Sequence, residues 1–136
     1  MNPGKLPAKK LSRDQYQGYW LKAGEFADAM DDNLARGNWN AAVMSAIHAA
    51  ILANDALLIR FHGVRSSGEK HDDAARLLTT LFKDDRARGN ARNLSRLLNE
   101  KSAVEYTGKL LGRGRALDLC KIARRFIAWV GSLLPG

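Results

Sequence analysis

Apolar side chains recur at three- and four-residue steps in five stretches of the chain, and this spacing places them on one face of a helix. The first stretch covers residues 13–36, and Gly37 follows it as a helix-ending residue. Ser12 and Gln15 have the spacing of a capping box, which predicts that Ser12 starts this helix. The other four helices are predicted at residues 39–61, 69–82, 90–107 and 116–134.

The second stretch is apolar nearly all round, as expected of a helix at the centre of a bundle. Asn38 can cap its first turn. Its length is close to that of a membrane span, but His48, Asn54 and Asp55 interrupt it, and each would be costly in hydrocarbon. We therefore predict a core helix and no membrane partner.

Short polar segments separate the predicted helices. Gly63 and the turn at residues 66–68 end the second helix, and Ser66 with Glu69 has capping-box spacing ahead of the third. The segments KDDRARGN and GKLLGRGR predict a charged linker and a glycine-rich break. Because no stretch alternates at a period of two, the prediction is an all-α, antiparallel four- to five-helix bundle.

The predicted helices form a single unit behind an N-terminal tail. Residues 1–11 hold two of the three prolines, and we predict a flexible tail there. Residues 12–136 then make one helical domain, because domains commonly run about 100–200 residues.

The composition indicates the kind of partner and the cellular compartment to expect. Hydrophobic residues make up 46% of the chain, which indicates a globular protein rather than a disordered one. The net charge of +8 favours an anionic partner such as RNA, DNA or an acidic protein, although it also simply aids solubility. Cys120 is the single cysteine, and no apolar segment of a secretory signal follows the first lysines. We therefore expect a cytoplasmic protein.

The sequence lacks the motifs of several common kinds of functional site. The three histidines and one cysteine do not have the spacing of a zinc site, and no GxxxxGK[ST] phosphate loop occurs. The glycines of GKLLGRGR follow no predicted strand, which a dinucleotide-binding loop requires. We expect neither a metal nor a cofactor.

The stretch HGVRSSGEKHDDAARLL carries the strongest candidate for chemistry. Arg65 and His71 flank the turn between the buried second helix and the third. Histidine exchanges protons near neutral pH, and arginine holds a phosphate through a planar fork of donors. Together they could cleave a phosphodiester without a metal. The structural alternative is a solvated turn in which Arg65 pairs with Asp55 or Glu69.

Asp55 is the second feature of this region, because a carboxylate on an apolar helix needs a partner. Arg60 and Arg65 are the candidates, and the pair would either be an ion pair at the edge of the core or orient Arg65. His48 lies two helical turns before Asp55 on the same face. We count His48, Asp55 and Ser66 as supporting residues.

A basic stripe marks the fourth helix. Arg88, Arg92 and Arg96 follow one another at four-residue steps, so that they share a face. Such a stripe can track a phosphate backbone, which predicts nucleic-acid binding, although a charged outer face is equally ordinary. A helical DNA-binding protein that uses this stripe is therefore a further hypothesis.

The whole pattern resembles a HEPN domain, in particular the small stand-alone bacterial members of that superfamily. The resemblance is carried by YWLKAGEFADAM, GNWNAAVMSAIHAAILANDALLIRFHGVRSSGEKHDDAARLL, RLLNEKSAVEY and ALDLCKIARRFIAWV, which cover nearly all of residues 16–130. It implies an antiparallel helical bundle that pairs into a homodimer.

Active HEPN members are metal-independent endoribonucleases, some of them toxins or defence components, with an arginine–histidine motif. Arg65 and His71, with five residues between them, match that motif. The resemblance implies that Arg65 holds the scissile phosphate, while His71 activates the RNA 2′-hydroxyl or protonates the leaving 5′-oxygen. It also implies that two motifs meet in a cleft between subunits, that Ser66 is the polar residue after the arginine, and that Asp55 steadies Arg65.

The resemblance also implies other partners and roles. HEPN toxins paired with a nucleotidyltransferase antitoxin often carry a tyrosine two residues after the histidine, and Asp73 stands there. This departure argues against modification at that position. Other members only bind a nucleotide or a partner protein, which is the main alternative to RNA cleavage.

Overall fold

Five helices and one small sheet make up the part of the chain that the structure describes. The structure is a computed structural model and describes residues 6–68, 70 and 72–136. In chain order, the elements are β1 (Ala8–Lys10), a 3₁₀ turn (Arg13–Gln15), α1 (Tyr16–Ala35), α2 (Trp39–His62), β2 (Val64–Ser66), α3 (Asp73–Leu81), α4 (Asp85–Tyr106) and α5 (Arg113–Leu133). The predicted all-α bundle is confirmed.

Helix α2 forms the centre of the core, as its sequence predicts. Its alanines at positions 42, 46, 49, 50, 53 and 56 are fully buried, together with Leu57, Leu58 and Ile59. The small alanine side chains let α1 lie along α2, while α4 and α5 pack on its other sides. Helix α2 is long and apolar enough to cross a membrane, but 72% of its most apolar window is buried inside the bundle.

The first two helices end next to glycines, as predicted. Gly37 and Gly63 have φ angles of 74° and 64°, a left-handed conformation that glycine adopts without strain. The predicted side-chain caps are wrong. The Ser12 hydroxyl donates to the Asp14 carboxylate instead of capping the helix, and Asn38 makes no side-chain cap.

Three helix starts also differ from the prediction. Helix α5 begins at Arg113, inside the predicted glycine-rich break. Helix α4 begins at Asp85, inside the predicted linker, because the Asp84 carboxylate caps it by accepting from the Ala87 backbone N–H at 2.8 Å. Helix α3 begins at Asp73 rather than at residue 69. The capping role predicted for Ser66 is wrong, because this residue belongs to β2. Its predicted partner Glu69 lies outside the described residues.

The small sheet joins the N-terminal segment to the turn after α2. Strand β1 runs antiparallel to β2, with Lys9 opposite Arg65. Leu6, just before β1, is buried in the core. The sequence predicted a tail and no strand over these residues, because three residues are too short to show an alternating pattern. The pairing partner, more than fifty residues away, is a tertiary feature.

Candidate active site

A cleft of about 290 Å³ opens where β2, α2, α3 and α4 meet. We call it the Arg65 cleft. Helix α2 contributes Ile51 and Asp55, and the segment that follows α2 contributes Arg65 together with its neighbours. Helix α4 closes the far side. The full lining is Ile51, Asp55, Arg65, Ser66, Gly68, Lys70, Ala74, Leu98, Lys101, Ser102 and Tyr106.

Arg65 is held in the cleft by its backbone. The sheet hydrogen bonds flank it, since Ser67 N–H donates to Pro7 O at 3.1 Å and Leu11 N–H donates to Gly63 O at 2.8 Å. In an antiparallel ladder, residues directly opposite each other alternate between pairs that exchange backbone hydrogen bonds and pairs that do not. Because Pro7 and Ser67 form a pair of the first kind, Lys9 and Arg65, two positions along the ladder, form another. The strand therefore restrains the arginine, which the sequence placed in a free turn.

The Arg65 guanidinium is only partly satisfied. Its Nη1 donates to Ser66 O at 3.2 Å. Its Nε is buried and has no hydrogen-bond partner in the part of the chain that the structure describes. A buried donor without a partner is costly, and an anion in the cleft would remove that cost.

Asp55 is the acidic residue among the described residues that line the cleft. Its side chain is 6% exposed, and burial raises its pKa from 3.8 to about 7, with the positive charge of Arg65 offsetting only part of that rise. No ion pair within 4.0 Å joins the two side chains among the described residues. The other predicted partner, Arg60, lies over the rings of Tyr16 and Phe61 instead. Asp55 therefore acts on Arg65 through space rather than through a salt bridge.

Gly68 fits the cleft because it has no side chain. A Cβ atom there would lie 2.6 Å from Asp73 Cβ and would also clash with the Asp73 carboxylate. Asp73 is 6% exposed, so that its side chain cannot swing freely into solvent. The close approach requires a residue without a side chain at position 68.

Helix α4 supplies side chains that the sequence did not single out for this site. Lys101, Ser102 and Tyr106 line the cleft opposite Arg65, and Lys70 adds a further positive charge. Lys101 also forms a pair with Glu105 at 3.8 Å. Ser102 and Tyr106 are four residues apart and share a helical face, which was a usable signal, but only the packing of α4 shows that they and Lys101 line this cleft.

The remaining predicted site residues divide into three groups. Ser66 lines the cleft beside Arg65. His48 is not among the lining residues, and its ring contacts the Phe26 ring of α1 at 5.3 Å. His71 lies outside the described residues. Among the residues that are described, no group of three or more His, Cys, Asp or Glu side chains could hold a metal ion.

The predicted arginine stripe lies elsewhere. Arg88, Arg92 and Arg96 line a shallow groove of about 590 Å³ between α3 and α4, and Arg76 of α3 joins them. The structure thus places the stripe in a second region, separate from the Arg65 cleft.

The family can now be assigned. The model of the HEPN domain family matches residues 16–133, which include every helix of the bundle and the Arg65 cleft. No curated protein matches the chain. Because the match covers most of the chain, this protein belongs to the HEPN domain family.

Proposed function

We propose that the protein is a metal-independent endoribonuclease of the HEPN type, acting in the cytoplasm as a toxin or defence component. The observation that carries the proposal is the Arg65 cleft. It sets a partly unsatisfied guanidinium beside Lys70 and Lys101, which is the charge pattern that a phosphate requires. RNA supplies that phosphate together with an internal nucleophile, its 2′-hydroxyl.

Each residue has a defined task in the proposed reaction. Arg65 binds the non-bridging oxygens of the scissile phosphate and stabilises the charge that develops on them. His71, assigned from the family motif, takes the proton from the 2′-hydroxyl or gives one to the departing 5′-oxygen. The 2′-oxygen forms a bond to phosphorus as the bond to the 5′-oxygen breaks. The products are a 2′,3′-cyclic phosphate and a 5′-hydroxyl.

The proposed active form is a homodimer, because family members commonly pair and bring two such motifs together. A nucleotidyltransferase antitoxin is the proposed protein partner. Both proposals rest on family membership.

The direct test is cleavage of total RNA and of tRNA by the purified protein in EDTA. We expect cleavage by wild type, and loss of cleavage in Arg65→Ala and His71→Ala. His62→Ala is the matched control, since His62 is exposed and does not line the Arg65 cleft. Cleavage that survives both motif substitutions, or that requires a divalent metal, would contradict the proposal.

A second candidate function is nucleotide binding without cleavage. The Tyr106 side chain, 73% exposed, stands at the rim beside Lys101, so the cleft could hold a phosphate while the ring contacts a base. This function predicts saturable binding of a nucleotide that survives His71→Ala, together with intact RNA in every sample. Equilibrium titration with a labelled nucleotide separates the two functions.

A further inference from the structure

A groove between α3 and α4 is rich in arginine. Four arginines line it, and we call it the arginine groove. Its base is formed by Ala75 and Ala91, which are 2% and 4% exposed. The arginines are Arg76 from α3 and Arg88, Arg92 and Arg96 from α4.

Two of the four arginines of the groove, Arg92 and Arg96, are unpaired within the described part of the chain. Asp72 is the single acidic residue among the lining residues that the structure describes, and it accepts a hydrogen bond from Ser95 at 2.8 Å. Arg88 pairs with Asp85 and donates to Lys83 O. Arg92 and Arg96 are exposed, and neither has a hydrogen bond or an ion pair with any described residue. Two guanidinium groups are therefore available to an anionic ligand.

Some other basic residues differ in this respect. Arg115 is bound to Glu100 at 2.6 Å, and Arg124 is bound to Asp31. Arg113 and Arg125 of α5 are exposed and have no partner among the described residues, as is true of Arg92 and Arg96. The groove differs because its two unpaired arginines lie four residues apart on one helix and line a single concave surface.

The groove and the Arg65 cleft lie along the same helix. Ser102 of α4 lines the cleft and Ser95 lines the groove. They are seven residues apart, so they share a face of α4 and lie about 10 Å apart along the helix axis. The two regions also share the start of α3, with Asp72 in the groove and Ala74 in the cleft. A chain of phosphates that leaves the cleft along α4 would therefore reach Arg96 and Arg92 within a few nucleotides.

We propose that the arginine groove binds single-stranded RNA that continues from the nucleotide held in the Arg65 cleft. This inference rests on the proposed ribonuclease function and names its substrate class. Guanidinium groups pair with phosphates and stack on bases, and the shallow alanine base leaves room for an unpaired nucleotide. The groove supplies affinity over the flanking segment and takes no part in the bond cleavage.

The first test measures binding, so that it does not depend on cleavage. A labelled single-stranded 2′-O-methyl RNA, which lacks the nucleophile, is titrated against wild type and Arg92→Gln/Arg96→Gln between 50 and 200 mM salt. Because each phosphate contact contributes about 0.7 to the logarithmic salt slope of a single strand, the double variant should lower that slope by about 1.4. We also expect about a tenfold weaker affinity at the lowest salt.

The matched control removes the same charge at another place. Arg36→Gln/Arg125→Gln changes two exposed arginines that do not line the groove, and it should leave the slope within about 0.3 of wild type. An equal loss in both double variants would overturn the proposal, because general charge would then explain the binding. Equally strong binding of a duplex RNA would overturn the single-stranded assignment.

The second test separates this inference from the proposed reaction. A dinucleotide fills only the Arg65 cleft, so Arg92→Gln/Arg96→Gln should cleave it at the wild-type rate while KM for a long single strand rises about tenfold. Loss of dinucleotide cleavage in this variant would overturn the groove assignment. Failure of wild type to cleave either RNA would refute the ribonuclease, whereas the salt slope would still test the groove.

Discussion

The Arg65 cleft and the arginine groove are both rich in positive charge, but they are built in opposite ways. The cleft is narrow and holds its arginine on a strand, next to a carboxylate that is 6% exposed. The groove is about twice as large and presents arginines on exposed helix faces. Arg65 is restrained by sheet pairing, whereas Arg92 and Arg96 have no described partner.

The two regions are therefore suited to different tasks: the cleft to positioning one group of a ligand, and the groove to attracting an anionic ligand. A charge in a restrained, partly dry site interacts strongly with one atom of a ligand, because little solvent screens it. Charges on an exposed face act over a longer range and are weakened by salt. Substitutions in the cleft should therefore change stability and its pH dependence, whereas substitutions in the groove should change how RNA binding depends on salt.

The largest expected effect is the pH dependence that Asp55 gives to stability. Burial holds its pKa at about 7 in the folded protein, above the ordinary value of 3.8. The folded state therefore binds this proton more tightly than the unfolded state, and stability falls as pH rises from about 4 to about 7. Because one pKa unit is worth about 1.4 kcal/mol, the full cost above pH 7 is roughly 4 kcal/mol.

Asp55→Asn removes this ionisation. Urea unfolding at pH 4 and pH 8 should show that wild type loses more stability over this range than the variant does, by roughly that amount. Identical pH profiles for the two proteins would show that Asp55 titrates normally, and the description of a dry cleft would then be wrong.

Gly68→Ala should damage the cleft and leave the unpaired arginines Arg92 and Arg96 of α4 in place. The new Cβ would lie 2.6 Å from Asp73 Cβ, so that the turn or α3 must shift. We expect about 1–3 kcal/mol of destabilisation, measured by thermal or urea unfolding, and weaker RNA cleavage. The salt slope of single-stranded RNA binding should stay as in wild type.

Gly24→Ala is the control for that substitution. A Cβ at Gly24, inside α1, meets nothing within 4 Å. The change should therefore stabilise the protein slightly, by up to about 1 kcal/mol, because alanine is the better helix former. A similar loss of stability in both variants would show that the contact with Asp73 is not the cause.

The smallest effect is expected at the start of the helix that carries the groove. Asp84→Ala removes the carboxylate that accepts from Ala87 N–H, at a cost of about 1 kcal/mol. Amide hydrogen exchange should quicken over the first turn of α4, which includes Arg88, while the segment around Lys101 keeps its protection. Faster exchange at Lys101 as well would mean that α4 frays as one unit and that the two regions are coupled.

The periodic pattern was sufficient to predict the five helices and the central position of α2. Such a pattern is local, since a run of alanine and leucine buried on all sides can be recognised without knowing its neighbours. The glycine helix ends were predictable for the same reason. The capping predictions at Ser12 and Asn38 were wrong, because a capping side chain also has other partners, and Asp14 and Asn33 lie within reach.

For the candidate site, the sequence was sufficient to select candidate residues but not to predict their surroundings. Arg65, Asp55 and Ser66 could be selected by residue type and family resemblance, and the structure brings all three to one cleft. His48 could not be separated from them, because helical spacing shows a shared face and does not show which neighbour covers it. It contacts Phe26 of α1.

What the sequence determined by itself was therefore the set of helices, the apolar centre and the family motif, all of which depend on short-range order along the chain. Only the tertiary structure decided that β1 pairs with β2 at Arg65, that Lys101 and Tyr106 line the same cleft, and that Arg76 joins the stripe on α4. Each of these contacts joins residues from different elements. Their geometry depends on how the helices pack, which no local pattern encodes.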